Sequence, residues 1–181
     1  PDDGIYDAMN KGIRRASGEI IGILNADDRY QDDSVLRDIR TRMEETGAET
    51  CYGDLIYIDD HDEPVRYWDS GTYNPKQIYY GWMPPHPTFF VRRKVYDKYG
   101  LFDTDYSIAA DYELMLRFLL KHGVSTTYLD RVIVRMALGG KSNESALNVL
   151  KANWEVAKSW RDHELRGGPI ATVLKPLRKI P

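Results

Sequence analysis

Cysteine is almost absent from this sequence: Cys51 is the only one in 181 residues. An intrachain disulfide is therefore impossible, and a metal centre built on several thiolates is excluded. The scarcity fits a reducing compartment. Long apolar runs are missing too, with no stretch near the ~20 residues that cross a bilayer, and there is no secretory signal. An excess of either charge is lacking. Twenty-five basic residues against 28 acidic ones leave a net charge of -3, which argues against nucleic acid as a partner. An initiator methionine is also absent. The chain opens Pro1-Asp2-Asp3-Gly4 and is read here as having a cut end, so missing upstream signals carry no information.

What is present suffices for one folded domain. Hydrophobic residues make up 42% of the chain, enough for a core, and thirteen tyrosines stand out. Tyrosine offers a flat apolar face and a hydroxyl, which suits a cleft for sugars or bases. It equally suits half-buried strand positions.

Hydrophobic periodicity divides the chain. Ile5, Ala8, Met9, Ile13 and Ala16 predict a helix closed by Ser17-Gly18. Glu19–Leu24 is short and nearly all apolar, as expected of a buried strand in a parallel sheet. Asp33-Ser34 should cap a second helix ending at Thr46-Gly47. Thr50–Ile58 and Pro64–Trp68 read as paired strands around the turn Asp59–Glu63. Gly71–Pro87 reads as a long functional loop or a short broken helix. Then follow a strand at Thr88–Arg92, a helix at Arg93–Tyr99, and a helix at Ala109–His122 that is apolar almost all round. One or two strands occupy Val124–Met136. A glycine-rich loop at Gly139–Ser142 precedes a helix over Ser145–Asp162. The order of elements is α/β.

Three places carry chemistry. Asn25-Ala26-Asp27-Asp28 ends the first strand, where open α/β sheets bind ligands. Adjacent carboxylates there stay ionised most easily beside a hard cation such as Mg²⁺ or Mn²⁺; an Asp pair capping a turn is the alternative. Asp111 stands at the start of the apolar helix, where it either caps the helix or serves as a rigidly held base. His86 lies between prolines and is either a hydrogen-bond donor to substrate or a structural histidine. The acidic turn Asp59, Asp60, His61, Asp62 is a solvated loop or, alternatively, a metal site.

Taken together and in order, the strings Gly4–Ile13, Ala16–Glu19, Leu24–Asp28, His86–Phe90, Gly100–Asp103, Ala110–Glu113 and Gly139–Ser142 resemble glycosyltransferase family 2 with the GT-A fold. The resemblance implies a Rossmann-like mixed sheet flanked by helices. It covers residues 1–144 as a partial GT-A domain, with residues 145–181 forming a C-terminal helix and a basic amphipathic tail. It implies transfer of a sugar from a nucleotide-sugar donor to a glycan or lipid-linked acceptor, with inversion, in bacterial cell-surface polysaccharide synthesis. Asp111 would be the catalytic base and Asp28 the ligand for Mg²⁺ or Mn²⁺. Asp7, Asn10, Gly12, Asn25 and Asp27 would face the donor. His86, Tyr112, Glu113 and Lys141 would lie on the acceptor or phosphate side, and Gly139–Ser142 would close over the donor. The family's opening β-α unit is not in this sequence. Exposed sheet edges, low stability and little activity in isolation are the expectation.

After Gly167 come Ile170, Val173, Leu174, Leu177 and Ile180 with Lys175, Arg178 and Lys179. Residues 166–181 are read either as a peripheral contact with the inner face of the cytoplasmic membrane or as a helix docked on the domain. Two other functions compete with the enzyme. One is a non-catalytic binding or structural fragment of such a domain. The other is a metal-dependent phosphohydrolase or nucleotidyltransferase.

Overall fold

The computed structural model describes residues 1–138 and 146–167. Its organising element is β3 (Thr50–Ile58), buried along nearly its whole length as a strand flanked on both edges and both faces must be. β6 (Thr126–Ala137) runs parallel beside it, from Thr50 opposite Thr126 to Ile58 opposite Ala137, with register shifts around Asp54. Two short strands share the other edge of β3. β5 (Phe90–Arg92) pairs antiparallel with Thr50 and Cys51, and β4 (Pro64–Trp68) pairs antiparallel with Leu55–Ile58. Outside these lie β1 (Ile20–Ile21), against β5, and β2 (Arg29–Tyr30), against β6.

Side-chain alternation along β3 feeds two cores. Cys51 and Leu55 pack with Phe90, Ile133, Val134 and the apolar stripe Val35, Ile39 and Met43 of α2 (Val35–Thr46). Tyr52 points the other way. It joins a larger core formed by α1 (Ile5–Arg15), α4 (Arg93–Tyr99), α5 (Ala110–Met115) and α6 (Ala146–Asp162). α6 inserts Val156 and Trp160 into that core.

Several expectations shift in detail. The Glu19–Leu24 strand shrinks to Ile20–Ile21 because Gly22 passes against the Phe90 ring; a Cβ there would come within 2.3 Å of it. β1 has the same direction as β3 and β6, but its ladder is antiparallel, since β5 stands between. The two-residue β2 is too short to leave a periodic trace. Ser34 occupies the N-cap of α2 without capping it: its hydroxyl goes to Asp32 (2.6 Å) and Asp38 (3.0 Å). Gly71–Pro87 holds the four-residue α3 (Pro75–Ile78), whose first turn Asn74 caps at Lys76 N, and a single tight turn at His86–Thr88. Val124–Met136 is one strand. The Ala109–His122 helix begins as α5 and widens into a π-helical stretch over Leu116–Lys121.

Candidate functional site

Strand direction brings the chemistry to one end of the sheet. β1 and β6 end there, and β5, running the other way, begins there. The segment after β1 (Asn25–Asp28), the end of β6 at Ala137 and the approach to β5 at His86 therefore converge.

Asp27 and Asp28 differ sharply. Asp27 is exposed. Asp28 is only 7% exposed, and burial raises the pKa of its carboxyl. A hydrogen bond from Asn25 Nδ2 (2.9 Å) opposes that rise, the charge of Asp27 adds to it, and the backbone of Ala137 and the nearby His86 offset it. A buried carboxylate with so few donors is a natural ligand for a hard cation. Among the described residues no group of three or more His, Cys, Asp or Glu side chains is arranged around a metal position. That donor set suits a Mg²⁺-type ion, which is held by one or two carboxylates with phosphate oxygens and water completing the shell.

Asp111 sits in the first turn of α5 and does not cap it. The segment that leads into the helix is held from outside. Glu155 of α6, 1% exposed, accepts from the amides of Ser107 (3.1 Å), Ile108 (2.9 Å) and Ala109 (2.8 Å) and from the Ser107 hydroxyl (2.9 Å). Burial alone would raise the Glu155 pKa; these hydrogen bonds outweigh burial and hold it low. Tyr6 approaches from α1. Its Oη donates to Ile108 O at 2.7 Å and lies 3.4 Å from Asp111 Oδ1. Burial, with the charge of Asp111 second, pushes the Tyr6 pKa up.

His86 completes the cluster. Burial lowers its pKa and favours the neutral ring, while the charges of Asp111 and Asp28 pull the other way. One histidine thus feels both carboxylates. Its ring meets Phe102 edge-on at 5.8 Å, and Tyr6 stacks on Phe102 at 5.6 Å.

The remaining expected site residues separate. Asn10 does not face outward: its amide exchanges two 2.9 Å bonds with the backbone of Phe102, and it is 4% exposed. It anchors the ring beneath His86. Tyr112 is a core residue whose hydroxyl accepts from Trp160 Nε1 at 2.9 Å and whose pKa burial pushes up to about 12. Glu113 faces away from the cleft. It binds Arg117 through both oxygens (2.7 and 3.0 Å) and meets His163 Nε2 at 2.6 Å. Both residues therefore leave the acceptor-side set, because α5 turns them inward. Asp7 pairs with Lys11 at 2.7 Å, and that contact, with the amide of Asp3, lowers its pKa. Gly12 is exposed with open space over it. Lys141 and the Gly139–Ser142 loop lie outside the described residues, as does the tail beyond Gly167. In the acidic turn, Asp59 accepts from the amides of His61 and Glu63, and Asp62 is held by Arg29 and Arg135. The turn is built by its own hydrogen bonds.

Tyr6, Phe102 and Glu155 went unnoticed in the sequence. Glu155 had a faint signal, as a lone acid beside Val156, Ser159 and Trp160 on the inward face of a helix.

A family model described as glycosyl transferase family 2 matches residues 2–100, more than half of the chain. A glycosyltransferase of Mycobacterium bovis named for PGL/p-HBAD biosynthesis is 27% identical over 144 residues, covering 78% of this chain and 54% of that protein. An uncharacterized glycosyltransferase of Mycobacterium tuberculosis is 31% identical over 125 residues, covering 66% of this chain and 46% of that protein. The chain thus spans about half the length of the curated relatives it matches. Among solved structures, S. aureus TarS 1–349 superposes with a TM-score of 0.60 at 16% identity, over 95% of this chain and 49% of that one. The same protein in complex with UDP gives 0.59 at 15% identity, over 94% and 49%. This likeness is one of fold, and the α/β GT-A architecture expected from the motifs holds.

Proposed function

Because the chain belongs to glycosyl transferase family 2, we propose that it transfers a sugar from a nucleoside-diphosphate sugar to an acceptor hydroxyl, with Asp111 as general base. The observation that carries this reading is that the end of β1 with Asn25–Asp28, the end of β6 and the approach to β5 at His86 meet at one end of the sheet, while Asp111 in the first turn of α5 makes no cap hydrogen bond. The acceptor hydroxyl gives its proton to an Asp111 carboxylate oxygen as its own oxygen bonds to the anomeric carbon. The bond from that carbon to the diphosphate oxygen breaks in the same step, so the configuration inverts. Asp28 holds Mg²⁺ or Mn²⁺ at the diphosphate, with Asp27 and Asn25 nearer the nucleoside. When bound, that ion stabilises the charge on the leaving group. His86, kept neutral by burial, donates a hydrogen bond to the acceptor or a phosphate oxygen.

The UDP complex of TarS supports a nucleotide-sugar donor, and the printed names of the mycobacterial relatives support glycosyl transfer. A glycan or lipid-linked acceptor in bacterial surface-polysaccharide synthesis, at the inner face of the cytoplasmic membrane, suits that set. Among the described residues no helix is long and apolar enough to cross a membrane. The test is calorimetric titration with UDP, GDP and TDP, with and without Mn²⁺. Metal-dependent binding of one nucleotide, lost in Asp28→Ala, is expected. Binding that ignores the metal, or that survives in Asp28→Ala, would remove Asp28 from the donor site.

A further inference from the structure

Three consecutive backbone amides lead into the turn that carries Asp111, and one side chain distant in sequence accounts for them. Glu155 receives the hydrogen bonds of Ile108 and Ala109, together with Ser107. Tyr6 reaches the same segment from α1. The Tyr6 hydroxyl spends its single proton on Ile108 O (2.7 Å), so Asp111 Oδ1, 3.4 Å away, is left without a strong donor. The first amides of a helix have no partner within it and are commonly capped by the helix's own first residues. Here the nearest local acceptor, Asp111, is not used.

We infer that Tyr6 and Glu155 are positioning residues that clamp the start of α5 from opposite sides and leave the Asp111 carboxylate free to take a proton. The inference rests on the reading of Asp111 as the base. It explains why α1 and α6, far apart in the chain, both meet at residues 107–111. Neither side chain touches substrate in this account. Tyr6 is fixed independently by its stack on Phe102, which Asn10 holds at both backbone polar groups. The hydroxyl is therefore aimed by packing and does not depend on Asp111 for its orientation.

Tyr6→Phe removes one oxygen and keeps the ring stack, so the fold should survive. Two measurements test the clamp. The first is the side-chain carboxyl ¹³C resonance of Asp111, identified by its disappearance in Asp111→Asn. It should move in Tyr6→Phe while the other aspartate carboxyls hold. The second is steady-state kinetics on the donor identified by the nucleotide titration. Here kcat should fall about tenfold with donor KM unchanged, as a mispositioned catalytic group predicts. Glu155→Gln, which places an amide where amides already point, should lower kcat in the same way, and Glu155→Asp should restore part of it. If Tyr6→Phe leaves both the resonance and kcat at wild-type values, the clamp is refuted even with Asp111 as base. If Asp111→Asn turns over normally, the base assignment fails first, and the resonance shift alone then reports whether Tyr6 orients that carboxylate.

Discussion

Asp111 and Glu113 stand two residues apart on α5 and face opposite ways. Glu113 points into the protein, where Arg117 and His163 saturate it; burial raises its pKa, but those hydrogen bonds overcome burial and hold it low. Arg117 also binds the carbonyls of Tyr99 and Leu101, so the cluster pins the loop after α4. Asp111 is half-buried, with a single weak approach from Tyr6. A carboxylate whose oxygens are all engaged holds a structure together. One whose neighbours' needs are met by other side chains can exchange a proton. The difference lies in partners, since residue type and helix are shared.

The largest effects should come from removing the charge at each of the two positions. Asp111→Asn should lower kcat by about 10²- to 10⁴-fold, the usual worth of a positioned base, while metal-dependent nucleotide affinity and thermal midpoint stay near wild type. Steady-state kinetics beside calorimetry would check it, and retained turnover would end the distinction. Glu113→Ala should do the reverse. It strands a buried guanidinium and should cost about 3–5 kcal/mol of stability, read by urea unfolding, with nucleotide affinity per folded molecule unchanged.

Asp28 gives a smaller and opposite effect on stability. Its carboxyl is raised mainly by burial, so the folded chain gains nothing from ionising it. Asp28→Asn should therefore leave the thermal midpoint unchanged or slightly higher, and should abolish metal-dependent nucleotide binding. A clear drop in midpoint would mean that the carboxylate is structural after all.

The smallest effect is in pH. The pKa of Glu113 is lower in the folded chain than in the unfolded one, so its stabilisation is complete above the unfolded value of about 4.3. It is lost as pH falls through the folded value. His86, depressed by burial, withdraws stability earlier, once the unfolded ring protonates below about pH 6.5. Glu113→Gln should flatten the fall in urea midpoint below about pH 4.3 and leave the shallower fall above it. An unchanged acid limb would place the titration elsewhere.

Sequence reasoning found what is written locally. The stripes of α1, α2 and α6 gave their helices, and Asn25–Asp28 and Asp111 were singled out because strand ends and helix starts are visible as patterns. It misjudged Asn10, Tyr112 and Glu113, because a motif states which residues recur and not which way a helix turns them. Asn10 could be understood only once Phe102 was seen beside it. Tyr6 left no signal and Glu155 only a faint one for the same reason, since their partners at residues 107–111 lie in other parts of the chain.

The parallel pairing of β3 with β6 also sets a clock. Thr50 meets Thr126 and Ile58 meets Ala137, so the central ladder joins segments that most of the other elements separate in sequence. Nearby pairings such as β3 with β4 can form within microseconds, whereas the ladder waits for a long loop to close. On a ribosome the middle strand would emerge well before its parallel neighbour. Its apolar edge would be bare for that interval, which makes the seconds before Ala137 appears the period in which this chain is most exposed to aggregation.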